Sequence, residues 1–177
     1  MKNIVLARVD DRLIHGQITI GWLKKIKVDS IIVIDEELKN NKFLNNMTKK
    51  ASPEHINTEI FSIQEFIDYY NNDKYEDILV LAKKPEIFEK IQKKQKIFNE
   101  INLGNLGSKD DSYKVYKNIS LNNDEKDSIT SLIKNGCEVF IQMIPENNKV
   151  NIKKIIWRGW FYDIIKIYSI RNNLLYW

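Results

Sequence analysis

An α/β fold, with a mainly parallel central sheet and helices on both faces, follows from three features of the 177-residue sequence. Apolar runs of strand length alternate with stretches of helical period from the start of the chain to about Ile156. Two of these runs, Ile31-Ile32-Val33-Ile34 and Ile78-Leu79-Val80-Leu81-Ala82, are apolar at every position, as in strands buried on both faces. No repeat or long linker divides the chain, and its length suits a single domain, assigned here to residues 1–156.

Each element has its own local reason. Ile4-Val5-Leu6-Ala7 opens the chain as a strand, and residues 17–25 follow as a helix with Ile18, Trp22 and Leu23 apolar. Gly21 lowers helix propensity there and allows close packing on the sheet. Residues 30–34 form the second strand, ending in Asp35-Glu36-Glu37 at the carboxyl end, where α/β sites gather. Residues 40–51 read as a helix with Phe43, Leu44 and Met47 on one face, ended by Ser52-Pro53. Residues 56–61 are a strand, and Ser62 and Glu65 have capping-box spacing before a helix bearing Phe66, Ile67 and Tyr70. After the strand at 78–82, Pro85 starts a helix faced by Ile87, Phe88 and Ile91. A strand over 97–103 leads into Gly104-Asn105-Leu106-Gly107, whose glycines can bring backbone N–H groups near an anion. Residues 113–120 are a further strand. Asn122-Asn123-Asp124-Glu125 caps a helix that Asn135-Gly136 terminates, and residues 139–144 are the last core strand, stopped by Pro145.

Composition narrows the function. Hydrophobic residues at 43% and charged residues at 29% are ordinary for a soluble globular protein. The net charge of +4 is half accounted for by the end of the chain, where Arg158, Lys166 and Arg171 face only Asp163. The weak excess that remains is spread out and does not argue for nucleic acid. One cysteine, Cys137, excludes an intramolecular disulfide; it lies in an apolar run and reads as a buried structural thiol. No signal peptide and no long uninterrupted apolar segment is visible, so a cytoplasmic location is expected.

The chemistry gathers in Arg8-Val9-Asp10-Asp11-Arg12-Leu13-Ile14-His15-Gly16-Gln17, between the first strand and the first helix. One of only two histidines sits among two arginines and two aspartates. Just before a helix N-terminus, the dipole and unpaired N–H groups favour a neutral, nucleophilic imidazole and form an anion site. Arg12 can reach the same spot and hold phosphoryl oxygens through its fork, while Asp10 or Asp11 can orient the ring or hold Arg12. Capping and surface pairing would also explain these charges. The parts fit phosphoryl transfer through a phosphohistidine. His55, in a polar turn after Pro53, reads as solvated. A nucleotide-binding enzyme is poorly supported, because Asp-Asp-Arg follows the first strand where a glycine-rich phosphate loop would be needed.

The same stretch, extended to Ile18, resembles the N-terminal signature of the IIB component of the mannose/fructose/sorbose family of the sugar phosphotransferase system. Gly104-Asn105-Leu106-Gly107 resembles, in part, that family's Leu-Asn-x-Gly-Gly loop near the active-site histidine, with Asn105 in place of the second glycine. Where related proteins often carry Asn-Asp, this chain has Asp35-Glu36. The resemblance implies a protein-N(pi)-phosphohistidine–sugar phosphotransferase. His15 takes a phosphoryl group, on the ring nitrogen nearer the backbone, from a phosphohistidine on a separate IIA protein. It then passes the group to a sugar held by membrane IIC and IID subunits. Catalytic roles fall to His15, Arg12 and Asp10, and phosphate or partner binding to Arg8, Asp11, Gly16 and Gln17, with no metal or other cofactor. Peripheral association with the membrane transporter follows, and a homodimer is compatible with the sequence. The alternative is a regulatory or binding module with the same site, controlled by phosphorylation and without sugar transfer.

The family pattern covers the chain to about Ile156. Residues 157–177 hold three of the four tryptophans and have no family counterpart, so they read as an aromatic-rich C-terminal extension. Packing on the body or self-contact, docking at a membrane interface, and a non-native extension of the reading frame are the readings it allows.

Overall fold

The computed structural model describes residues 2–156; the extension expected over 157–177 lies outside them. Strands are β1 (Lys2–Asp10), β2 (Ser30–Ile34), β3 (Asn57–Phe61), β4 (Glu76–Ala82), β5 (Glu100–Asn105), β6 (Tyr113–Tyr116), β7 (Ile119–Leu121), β8 (Glu138–Ile141) and β9 (Val150–Asn151). Helices are α1 (Glu36–Asn40), α2 (Lys42–Lys50), α3 (Ile63–Tyr70), α4 (Pro85–Lys94) and α5 (Asn123–Lys134). Seven strands form one sheet in the order β3-β2-β4-β1-β5-β8-β9, parallel except where β9 adds antiparallel to β8.

Both faces of the sheet are covered. Ala7, Val9, Ile32, Ile34, Ile78 and Val80 pack under α3, α4 and α5 through Phe66, Phe88, Ile91 and Ile129. Leu6, Ile31, Val33, Leu79 and Leu81 point the other way, towards Leu38 of α1, Leu44 of α2, Ile18 and Trp22. Burying each such side chain is worth about 1.5–3 kcal/mol, which is why the unbroken apolar runs lie in the middle of the sheet.

Local signals place the helix ends. Ser62 and Asn122 each close a capping box, with Glu65 and Glu125. Pro85 occupies the first turn of α4, and Gly136, at φ +87°, ends the chain's exit from α5 in the left-handed region that favours glycine. Cys137 is buried, and burial pushes its thiol up to about 12.

Four expectations are corrected. Residues 17–25 are not an ordinary α-helix but a π-helical turn, Gln17–Gly21, followed by a 3-10 turn, Trp22–Lys24. Gly21 meets only Pro145, at ordinary contact distance, so no close approach to the sheet requires it. Residues 113–120 are not one strand: β6 and β7 pair antiparallel as a separate hairpin, joined to the end of β5 by a single bridge between Leu106 and Ile119. On α2, Leu44 packs inward, but Phe43 and Met47 are 70% and 54% exposed, because no element of the described chain covers that side.

At the amino ends of the strands, Glu76 accepts hydrogen bonds from Lys2 Nζ (2.8 Å), Tyr69 OH (2.7 Å) and the Ser30 hydroxyl. Burial raises this carboxyl, but the three donors outweigh it and hold it at about 2. A folded value below the unfolded one stabilises the protein fully above the ordinary carboxylate range, and this is lost as pH falls towards 2. Glu76→Gln is therefore expected to cost about 3 kcal/mol at neutral pH. In urea unfolding, the gap from wild type should close between about pH 4.5 and pH 2; an unchanged gap at acid pH would count against the network.

Candidate functional site

β1 does not end where its apolar run ends. It continues through Arg8, Val9 and Asp10, and strand alternation puts Arg8 and Asp10 on the face of Leu6 while Val9 joins the opposite core. The same alternation on β5 sets Asn102 and Gly104 opposite Ile101 and Leu103, and the pairing aligns Arg8 with Asn102. Two charges and an amide thus meet inside the molecule, beneath the carboxyl ends of β1 and β5. The chain leaves β1 towards β2 and leaves β5 towards β8, on opposite sides, so this is a topological switch point.

Arg8 is fully buried, with every N–H engaged. Nε and Nη2 donate to Asp10 Oδ2 at 3.3 and 2.8 Å. Nη1 donates to Asn102 Oδ1 (2.6 Å) and the Gln142 carbonyl (3.0 Å), and Nη2 also to the Met143 carbonyl (3.1 Å). Burial pushes the guanidinium down from its usual value, and Asp10 opposes that. Arg8 is therefore not the phosphate contact or exposed docking residue that the sequence suggested.

Asp10 is equally buried and bonds outward as well. Its Oδ1 accepts from the Arg12 backbone N–H and from Arg12 Nε, both at 3.2 Å. Arg12 is 43% exposed in its side chain, and its Nη2 donates to Gln17 Oε1 at 2.9 Å. Among the described residues, Nη1 of Arg12 has no partner.

A turn closed by Leu13 N–H donating to the Asp10 carbonyl brings His15 back over Asp10. Leu13 is held at φ 55°, a left-handed conformation that costs a non-glycine residue about 1–2 kcal/mol. Its buried side chain joins the Ile18–Trp22 cluster and secures it there. His15 Nδ1 lies 2.8 Å from the Leu13 carbonyl oxygen, which can only accept, so this nitrogen carries the proton. Nε2 is buried without a hydrogen-bond partner, 3.6 Å from Asp10 Oδ2. The ring is 18% exposed.

Beyond His15, its carbonyl accepts from the Ile18 and Thr19 amides, starting the helical turn. No acceptor is paired with the Gly16 or Gln17 amide among the described residues. Gly16 is exposed, and a Cβ built on it meets nothing within 4 Å, so space is open beside the ring.

Asp11 points away to brace the neighbouring loop. It accepts from Asn105 Nδ2 (2.6 Å) and the Gly107 N–H (2.7 Å), and Asn105 accepts in turn from Asn118. The asparagine standing for a glycine is thus a structural tie. Asp35 caps α1 through the Leu38 N–H and pairs with Lys83, with β4 lying between its strand and β1. His55 is exposed at the amino end of β3, the far edge of the sheet. Asn102 and Trp22 were not singled out from the sequence as site residues, and Gly104 was read as part of an anion-binding loop and not as the floor under Arg8; the signal available was an asparagine and a glycine alternating with Ile101 and Leu103.

The family model described as PTS system sorbose subfamily IIB component matches residues 4–161. A sorbose-specific EIIB component of Lacticaseibacillus casei is 30% identical over 84% of this chain and 92% of its own length. An N-acetylgalactosamine-specific IIB component 2 of Escherichia coli is 27% identical over 88% of this chain and its full length. The crystal structure of manxB from Thermoanaerobacter tengcongensis superimposes with a TM-score of 0.80 at 27% identity, covering 88% of this chain and 96% of that one.

Proposed function

The chain belongs to the sorbose-subfamily IIB components of the sugar phosphotransferase system, and from that premise we propose that His15 is its phosphoryl acceptor. The observation that supports this most is the set of unused donors around His15 among the described residues: unpaired Gly16 and Gln17 amides, and an Arg12 that is tied to the Gln17 side chain and keeps Nη1 free. Amides at the start of a helical turn and an arginine fork suit the oxygens of a phosphoryl group, and such preorganised donors are the main means of accelerating its transfer.

The lone pair of a ring nitrogen attacks phosphorus, and the P–N bond of the donor breaks with its electron pair remaining on the donor imidazole. A relative from Escherichia coli is called a mannose-specific EIIAB component, with the matched region spanning 48% of it, which supports a IIA phosphoprotein as donor. In the second half-reaction, a sugar hydroxyl presented by membrane IIC and IID subunits attacks phosphorus and releases His15. Among the described residues no helix is long and apolar enough to cross a membrane.

The resting ring is not yet in an attacking pose. Nδ1, the nitrogen implied by the family resemblance, is bound to the Leu13 carbonyl, and Nε2 is buried. The imidazole has to turn out of this seat, a side-chain rotation far faster than enzymatic turnover. Its proton has to pass from Nδ1 to Nε2 through solvent so that the Nδ1 lone pair is free to attack. Incubation with phosphoenolpyruvate, the general phosphocarrier proteins and a family IIA protein tests the proposal. The expected product is one acid-labile phosphoryl group per chain, mapped by alkaline peptide mass spectrometry to His15 and absent from His55. No label, or label elsewhere, overturns it.

A further inference from the structure

A phosphoryl group cannot reach Arg8, yet Arg8 is the most heavily bonded side chain of the site. Its guanidinium lies between the Trp22 ring, 5.6 Å from Cζ to the centroid, and the bare backbone of Gly104. It is anchored to three segments besides its own strand: Asn102 on β5 and the Gln142 and Met143 carbonyls after β8 hold it, while Trp22 Nε1 donates to the same Met143 carbonyl at 3.3 Å. Asp10, by contrast, shares its carboxylate between this fixed cation and two outward-facing groups, Arg12 and His15. The Arg8 contact is 2.8 Å; those to Arg12 and His15 are 3.2 and 3.6 Å.

His15 must move if it carries a phosphoryl group, and Arg12 can offer the oxygens more than its unpaired Nη1 only by letting go of Asp10. The ring leaves its seat, and Arg12 has one fork to divide between Asp10 and the incoming oxygens. Were Arg12 the only cation at Asp10, its departure would leave an unpaired carboxylate in the interior, which is strongly unfavourable. Arg12 would then stay, and the phosphoryl group would be held by Nη1 alone and not by the full fork.

Resting on the reading of His15 as acceptor, we propose that Arg8 is a positioning residue, the resident counter-ion of Asp10 that frees Arg12 to exchange the carboxylate for the phosphoryl group. Arg8 touches no reactant and acts through Asp10 alone. A structural ion pair would affect folding but would leave the worth of Arg12 unchanged; a resident counter-ion makes the worth of Arg12 depend on Arg8.

A double-mutant cycle on the rate of phosphoryl uptake separates the two. Arg12→Met should slow uptake by about 100-fold in the wild-type background, in line with loss of one preorganised donor, but only a few-fold in an Arg8→Met background. Equal factors in both backgrounds overturn the proposal and leave Arg8 as a core ion pair. The same question can be put to the wild-type chain if Arg8→Met does not fold. In 15N spectra assigned with Arg12→Met, the Arg12 Nε–H signal should shift on phosphorylation while the Arg8 signal stays and remains protected from exchange. An unmoved Arg12 signal, or an Arg8 signal that shifts equally, overturns the proposal. A wild type that takes no phosphoryl group removes the acceptor reading, and this inference with it; normal labelling with an additive cycle removes only this inference.

Discussion

His15→Ala is expected to abolish phosphoryl uptake entirely while unfolding within about 1 kcal/mol of wild type. The two halves of that expectation have separate causes. The side chain contributes little to the fold: one hydrogen bond, from Nδ1 to the Leu13 carbonyl, typically worth about 1 kcal/mol net. Its other nitrogen is buried without a partner, so truncation also removes an unfavourable feature. Neither the second histidine nor the cysteine can substitute chemically. His55 is at the opposite edge of the sheet, and Cys137 is buried with its thiol pushed up to about 12, which leaves no thiolate to act. Intact mass after incubation with the phosphoryl donor, together with urea unfolding of the same sample, checks both halves. Residual label at the wild-type level would move the acceptor elsewhere; a loss of several kcal/mol would mean that the ring is a structural keystone.

How far the sequence could be read depends on the range of the interaction. Signals confined to one turn were legible: the Ser62 and Asn122 caps, Pro85 at the start of α4 and the positive φ of Gly136 all follow from spacings of a few residues. So were the centres of β2 and β4, because a strand covered on both faces runs apolar there, with Ser30 and Glu76-Asp77 polar only at the amino ends. The burial of Arg8 and Asp10 was not, although the sequence already placed Asp10 as a partner of Arg12. Charge makes a residue look exposed, and only the pairing of β1 with β5 places Asn102 where it can accept from Arg8 inside the molecule. Phe43 and Met47 show the converse: periodicity identifies an apolar face but not whether anything lies against it. The residues that touch solvent at the site, Arg12, His15, Gly16 and Gln17, were found because they are contiguous; those that hold them, Asn102, Gly104, Trp22 and the carbonyls after β8, are scattered along the chain.

Gly104→Ala should be the most damaging single-methyl change at the site. A Cβ built on Gly104 falls 1.8 Å from Arg8 Cζ, 2.1 Å from Nη2 and 2.3 Å from Nε, so the guanidinium occupies the place of the missing side chain. The conflict has no cheap resolution. Arg8 cannot retreat without breaking bonds to Asp10, Asn102 and the Gln142 and Met143 carbonyls, and β5 cannot retreat without losing its register against β1. Expelling Arg8 would leave Asp10 with Arg12 as its one counter-ion, and breaking a buried pair in this way costs about 3–5 kcal/mol. A loss of that size is expected in urea unfolding, and any folded protein should take up phosphoryl groups more slowly because Arg12 becomes the sole counter-ion of Asp10. Gly16→Ala is the control. There the backbone is right-handed helical and an added methyl meets nothing within 4 Å, so stability should stay within about 1 kcal/mol of wild type. If both substitutions proved equally mild, β5 would have to be free to move away from β1, and the fixed seat assigned to Arg8 would not exist. If Gly104→Ala alone is costly, the bare backbone at that position is there to admit a cation, and its role is to shape the floor of the site rather than to present an N–H group to the phosphoryl oxygens.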